Sequence, residues 1–312
     1  MSLPSSLRAR LAVPAIAAPM TAVSGLELVL AACRAGVIGA FPVHNAHRSG
    51  GLQTWLTTLR AEIGPDDAPF AANLIVHPSN RRRREEVAAL AAHGVELVIT
   101  SVGSPAEFVA PLHDAGAVVY ADVASIHHAH RALEAGVDGL VLLTAGAGGQ
   151  TGWANPFAFV RAVREFHSGP LVLAGGITDG ASIRAAEVLG ADLAYLGTRF
   201  IAATESLAQP DYRRAVIEAG LDDIVTSNVV GGIPANLTRA WLGQHEFAAQ
   251  QQADGYGQDR LLSWETVHSA GHSVSGVHRE QSVAGLVADL HDRYRQTIAD
   301  YDVAGRSIGR KQ

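Results

Sequence analysis

The sequence is short of charge, nearly without cysteine and free of long apolar runs, and each shortage closes off a class of protein. Charged residues make up 17% of the 312, with a formal net charge of −6 and a pI near 6.1. No overall field therefore draws the chain to nucleic acid or to an anionic membrane, and small-molecule chemistry is favoured. The one cysteine, Cys33, cannot form an intramolecular disulfide. Its place in a helical stretch marks it as a small apolar core residue rather than a reactive thiol. Residues 1–11 carry basic side chains without the apolar stretch of a secretory leader, and no later run is long enough to span a bilayer. The expected location is the cytoplasm, and no metal site is expected. What the chain has in quantity is apolar surface, 48% of residues, which suits a large buried parallel sheet.

The organisation shows as a recurring punctuation, in which a helical stretch ends at glycine and a β-rich run starts almost at once. It appears at Ala35-Gly36-Val37-Ile38, at Gly94-Val95-Glu96-Leu97-Val98-Ile99, at Gly116-Ala117-Val118-Val119, at Gly136-Val137-Asp138-Gly139-Leu140-Val141 and at Gly190-Ala191-Asp192-Leu193-Ala194-Tyr195. Glycine supplies the positive φ that closes a helix, and each following run reads as a strand buried on both faces. With apolar runs at 14–18, 70–74 and 170–173, eight strands are expected. Helices are expected between them at 26–35, 52–63, 81–93, 105–115, 126–135, 156–166 and 181–189, with a short one after Thr198. This order predicts an α/β fold, a closed (β/α)8 TIM barrel with a C-terminal helical cap segment. An open doubly wound sheet is the structural rival, but the first βα turn, 19–25, lacks the G-x-G-x-x-G of a dinucleotide crossover.

Residues 1–204 form the barrel core in this reading, and 205–312 a helical cap and closing segment rather than an independent domain. Helices are expected there at 212–219, 239–252 and 282–298, with a loop through Gly231-Gly232. The run Arg81-Arg82-Arg83-Arg84-Glu85-Glu86 places Arg81 with Glu85 and Arg82 with Glu86 at i,i+4, which predicts a solvated helix face rather than a phosphate patch.

In such barrels the loops at the C-terminal strand ends build the active site, and those after the last two strands often hold a phosphate. Here they read Ala174-Gly175-Gly176-Ile177-Thr178-Asp179-Gly180 and Leu196-Gly197-Thr198-Arg199-Phe200. Gly175, Gly176 and Gly197 let backbone N–H groups approach an anion, and Thr198 adds a hydroxyl at the start of a short helix. Glycines that only make tight turns are the plainer alternative for either loop alone. After the sixth strand, Gly146-Ala147-Gly148-Gly149-Gln150-Thr151-Gly152 allows a flat ligand to lie on the backbone, with Gln150 as the side chain presented. Asn73, at the end of the third strand, can serve a ring edge or satisfy local backbone. His44 and His77 follow the second and third strands, where each faces the site as a candidate acid, base or substrate contact, although loop histidines are usually solvated. No lysine stands at a strand end, which disfavours a Schiff-base aldolase.

Pro14-Ala15-Ile16-Ala17-Ala18-Pro19-Met20, Asn73-Leu74, Gly148-Gly149-Gln150-Thr151-Gly152, Ala174-Gly175-Gly176-Ile177 and Gly197-Thr198-Arg199-Phe200 together resemble the nitronate monooxygenase family, formerly the 2-nitropropane dioxygenases. The similarity spans nearly the whole chain, including 264–276. The resemblance implies an FMN-binding barrel that oxidises alkyl nitronates with O2. It also implies that Met20 packs against the isoalloxazine, Asn73 bonds FMN, Gly148 lies along it, and Gly175, Gly176, Gly197 and Thr198 hold its phosphate. The family's loop commonly reads Glu-Ala-Gly-Gly-His, with the histidine as proposed base. Here Gln150 stands in that place and cannot abstract a proton near neutral pH. A preformed nitronate anion needs no such base; otherwise His44, His77 or His272 takes over the proton chemistry. The expected partners are a nitronate or similar small anion and O2, and self-association is left open. The rival readings are an FMN-dependent NAD(P)H:quinone or enoyl reductase and, in another class, a non-redox phosphate-binding barrel enzyme.

Overall fold

A computed structural model of the protein describes residues 3–244, 264 and 266–308. Eight parallel strands close into a barrel: β1 (Ala15–Ala17), β2 (Ile38–Pro42), β3 (Phe70–Ile75), β4 (Leu97–Ser101), β5 (Val118–Val123), β6 (Gly139–Leu143), β8 (Leu171–Ala174) and β9 (Leu193–Leu196). β7 (Gly149–Gln150) lies outside the barrel. β1 pairs with both β2 and β9, with Ile16 opposite Ile38 and Tyr195, so the ring has no open edge. All five punctuating glycines, Gly36, Gly94, Gly116, Gly136 and Gly190, have positive φ, as the helix-to-strand reading requires. The open-sheet rival is excluded.

Strand alternation sorts the core into two layers. Ile16, Ile38, Ala71, Ile99, Tyr120, Val141, Val172 and Leu193 fill the barrel interior. Their neighbours Ala17, Phe41, Ala72, Val98, Val119, Leu140, Leu171 and Ala194 pack against the surrounding helices. Cys33 is fully buried in this outer layer. Stepping two residues further along each strand from the inner layer, or four on β2, reaches the barrel mouth at Ala18, Pro42, Asn73, Ser101, Asp122, Leu143, Ala174 and Tyr195. All eight line the same pocket.

The segment after the short helix Thr198–Ile201 is not only helical. After helix Pro210–Glu218, β10 (Ile224–Ser227) and β11 (Ala235–Thr238) form an antiparallel pair, and β11 also pairs with β7. The expected loop through Gly231-Gly232 is the connection of this hairpin, with both glycines at positive φ. The helix expected over 239–252 is seen as Arg239–Gln244, and its remainder lies outside the described residues. The last helix, Val283–Ile308, is longer than the expected 282–298. It packs between helices Gly180–Leu189 and Leu26–Arg34 and so fills the outer ring where chain end meets chain start. Gly180 permits this, because a side chain there would strike the backbone at Leu290 and Tyr294.

The arginine-rich run departs from expectation. Its helix starts only at Arg83, and Glu86 turns inward at 4% exposure. The Glu86 carboxylate accepts from Asn80 Nδ2 at 2.7 Å and pairs with His47 Nε2 at 2.7 Å. Arg81, Arg82, Arg84 and Glu85 are exposed, and Arg84 pairs with Glu107 at 2.6 Å. Among the described residues no helix is long and apolar enough to cross a membrane, and no cluster of metal-ligating side chains occurs.

Candidate active site

The pocket sits at the C-terminal mouth of the barrel, where loop backbone is free to carry function. Its β1 wall is held by an amide. Asn45 Nδ2 donates to Met20 O and Ser24 O, both at 3.0 Å, and Asn45 Oδ1 accepts from Ala22 N at 3.2 Å. Ser24 Oγ accepts from Met20 N at 2.9 Å. These bonds fix a turn strained at Ala22, φ 58°, and set Met20 against the pocket.

The β8 and β9 loops lie side by side next to this wall, since β9 pairs with β1. Gly175 and Gly176 have φ of 119° and 72°. A side chain on Gly175 would collide with Thr144 Oγ1, whereas one on Gly176 would meet nothing within 4 Å. Among the described residues the N–H groups of Gly175, Gly176 and Gly197 meet no acceptor. Open space and free donors at one place are what an anion needs. Thr198 Oγ1 accepts from Gly271 N at 2.9 Å, which leaves its own hydrogen to donate. Helix Thr198–Ile201 has a single turn and Asp179 caps helix Gly180–Leu189, so loop N–H groups rather than a helix dipole supply the positive field.

The glycine loop after β6 is clamped by elements the sequence did not announce. Gln150 pairs with Ala235 and Gly149 with Asn236 in the β7–β11 ladder. Asn236, fully buried, donates from Nδ2 to Ala145 O at 2.9 Å and Ala147 O at 2.7 Å. A Cβ on Gly148 would come within 2.7 Å of Gly271 N, so the missing side chain there serves contact with 270–271 and leaves the backbone to line the pocket. Tyr212 stacks on His268 at 4.6 Å and accepts from Ser269 N at 3.1 Å, which anchors that segment. Gln150 is half-buried and lines the pocket on a strand rather than on a loose loop.

Of the candidate histidines, only His44 lines the pocket. Burial, then Arg48, pushes its pKa down to about 4, and Nε2 meets Thr21 Oγ1 at 3.0 Å. His44 is therefore neutral near pH 7 and weakly basic. His77 lies outside the pocket lining, with Nδ1 2.8 Å from Ser79 Oγ. His272 is exposed and is held by its backbone N–H to Gly146 O at 3.0 Å. Asn73 is in place, but Nδ2 donates to Ile99 O at 3.2 Å and Ser101 Oγ at 3.3 Å, which leaves Oδ1 as the atom nearer to free.

Two mouth residues were not anticipated. Asp122 and Tyr195 line the pocket, and Asp122 Oδ1 and the Tyr195 hydroxyl have no partner among the described residues. Burial pushes Asp122 up to about 7, and burial followed by the Asp122 charge pushes Tyr195 well above its ordinary value. A carboxylate two positions after an inward tyrosine in Val118-Val119-Tyr120-Ala121-Asp122 was the available signal.

A family model described as nitronate monooxygenase matches residues 77–292. The chain belongs to the nitronate monooxygenase family. It is therefore an oxidoreductase of a flavin-dependent family, and the non-redox reading is dropped. The nitronate monooxygenase of Paraburkholderia phytofirmans is 29% identical, with 73% of this chain and 74% of that protein covered. A (3aS,4S,5R,7aS)-5-hydroxy-7a-methyl-1-oxo-octahydro-1H-indene-4-carboxyl-CoA dehydrogenase of Mycobacterium tuberculosis is 27% identical over 73% of this chain, which spans 64% of that protein's length. Among solved structures, FabK from Thermotoga maritima has a TM-score of 0.79 at 23% identity, covering 97% of this chain and 99% of the other. The nitroalkane oxidase from Streptomyces ansochromogenes has the same TM-score and identity over 95% and 100%. These two likenesses speak to the fold. A flavin suits the pocket in hand, since free loop donors face open space at Gly176 and unpartnered polar atoms lie in the floor.

Proposed function

We propose that the protein is an FMN-dependent monooxygenase that oxidises alkyl nitronates, or similar small electron-rich anions, with O2. The observation that carries this reading is the pair of adjacent glycine loops that line one polar-floored pocket and whose N–H groups meet no acceptor among the described residues. In this reading the N–H groups of Gly175, Gly176 and Gly197 and the hydroxyl of Thr198 hold the phosphate. Gly148 and Gly149 offer flat backbone, Met20 packs against the ring, and Asn73 Oδ1 accepts from its edge. The bound cofactor would supply the electron-transfer capacity that these side chains lack.

Gln150 divides the substrates. Its amide can donate to a nitronate oxygen and so orient the substrate, but it cannot remove a proton from carbon. His44, lowered to about 4 and held by Thr21, is a poor substitute. The substrate favoured is therefore one that arrives already as the anion. A second reading, an FMN-dependent NAD(P)H:quinone or enoyl reductase, draws support from the same missing base at Gln150 and from the dehydrogenase named among the relatives. Anaerobic mixing separates the two. Bleaching of the bound flavin by propyl nitronate without NAD(P)H is expected, and bleaching by NAD(P)H alone would replace the monooxygenase with the reductase.

A further inference from the structure

Asp122 and Tyr195 take no part in the phosphate cradle or the glycine loop, yet both stand in the ring of residues that floors the pocket. The rest of that ring is satisfied or apolar. Asn73 and Ser101 are hydrogen-bonded together at 3.3 Å, and Ala18, Pro42, Leu143 and Ala174 have no polar side-chain atoms. Asp122 Oδ1 and the Tyr195 hydroxyl alone among these eight are buried without a partner among the described residues. A buried polar group left unpaired is costly, so two in one floor mark a surface that a ligand completes.

The surroundings also favour the uncharged form of the carboxyl. The other titratable groups lining the pocket are His44, Tyr195 and Tyr212. The His44 ring is neutral and bonded to Thr21, and the Tyr212 hydroxyl is committed to Ser269. Below Asp122 on the same strand lies the buried phenol of Tyr120, and on β9 the Tyr195 phenol is also neutral. None of these is a cation at neutral pH, and burial favours the uncharged acid. A neutral carboxyl and a phenol are both hydrogen-bond donors, and their natural partners are the ring nitrogens and carbonyls of a flat heterocycle.

We propose that protonated Asp122 and Tyr195 are floor donors that hydrogen-bond acceptor atoms of the bound flavin ring. The inference rests on the flavin reading above and adds the consequence that the ring's environment changes with pH through Asp122. Below the Asp122 pKa the ring receives a donor; above it, the ring faces a carboxylate. The oxidised flavin ring does not itself ionise near neutral pH, so its absorption reports the carboxyl.

The test follows the visible absorption of the oxidised flavin across the neutral range in protein saturated with FMN. Wild type is expected to show a one-proton spectral transition near neutrality, and Asp122→Asn and Asp122→Ala to lose it while still binding FMN. Tyr195→Phe is expected to keep the transition and bind FMN roughly ten-fold more weakly. FMN uptake by wild type with a flat pH response, or a transition that persists in both Asp122 variants, overturns the role of Asp122 and leaves the flavin reading standing. Failure of wild type to take up FMN overturns both.

Discussion

At Gly176 the backbone has a φ of 72° and the space where a side chain would stand is open. Alanine there would be strained and would intrude on the anion cradle. Gly176→Ala is expected to weaken FMN binding at least ten-fold, beyond what its strain cost of ~1 kcal/mol to folding explains, as fluorescence titration and calorimetry can check. Gln150→His returns an imidazole to the pocket wall and is expected to add activity on neutral nitroalkanes, which oxygen consumption would register; equal inactivity of both forms would remove the missing base as the explanation. Asp122 carries a stability signature of its own. Its folded pKa, about 7, lies above the ordinary 3.8, so the folded state holds the proton more tightly. Stability from this site is present at low pH and is lost as pH rises through about 7, because the buried carboxylate must then exist unpaired. Asp122→Asn, which cannot ionise, is expected to gain in melting temperature relative to wild type as pH is raised. That the loops at 174–180 and 196–200 line the pocket was legible from the Gly-Gly pair in one and the Gly-Thr in the other, each following an apolar strand. Asp122 and Tyr195 were not, since their neighbours read as buried strand and only the register of the closed barrel shows which residues face its mouth.

The elements differ in how well the sequence declares them. The barrel strands stand out because glycine closes the helix before five of them and both faces are apolar, so little depends on distant contacts. The β10–β11 hairpin was passed over. Its strands are only four residues long, and β10 is half-exposed, so neither periodicity nor apolar content marks it. What makes it a sheet is β7, eighty-odd residues earlier in the chain, which pairs with β11. Asn236 is the joint between them, and its amide has the loop carbonyls of Ala145 and Ala147 as partners. Asn236→Ala leaves those acceptors unmet and is expected to cost ~1–3 kcal/mol in chemical denaturation. Because Gln150 rides on the same ladder, turnover should fall more than stability alone explains.

Across the whole molecule, the closing of the ring by Val283–Ile308 ties the chain's end to its start. Leu286, Val287 and Leu290 are buried in that contact. We read residues 205–312 as part of the same folding unit as the barrel, so that Leu290→Ala, expected to cost ~2–5 kcal/mol, shifts one cooperative transition rather than releasing a separate segment. Two resolved transitions in calorimetry would contradict this. The central claim remains that the β8 and β9 loops hold FMN by its phosphate. The direct measurement is titration of the apoprotein with FMN and with riboflavin, which share the ring and differ in the phosphate. FMN is expected to bind at least a hundred-fold more tightly, and equal affinity for the two would show that the glycine loops do not grip a phosphate.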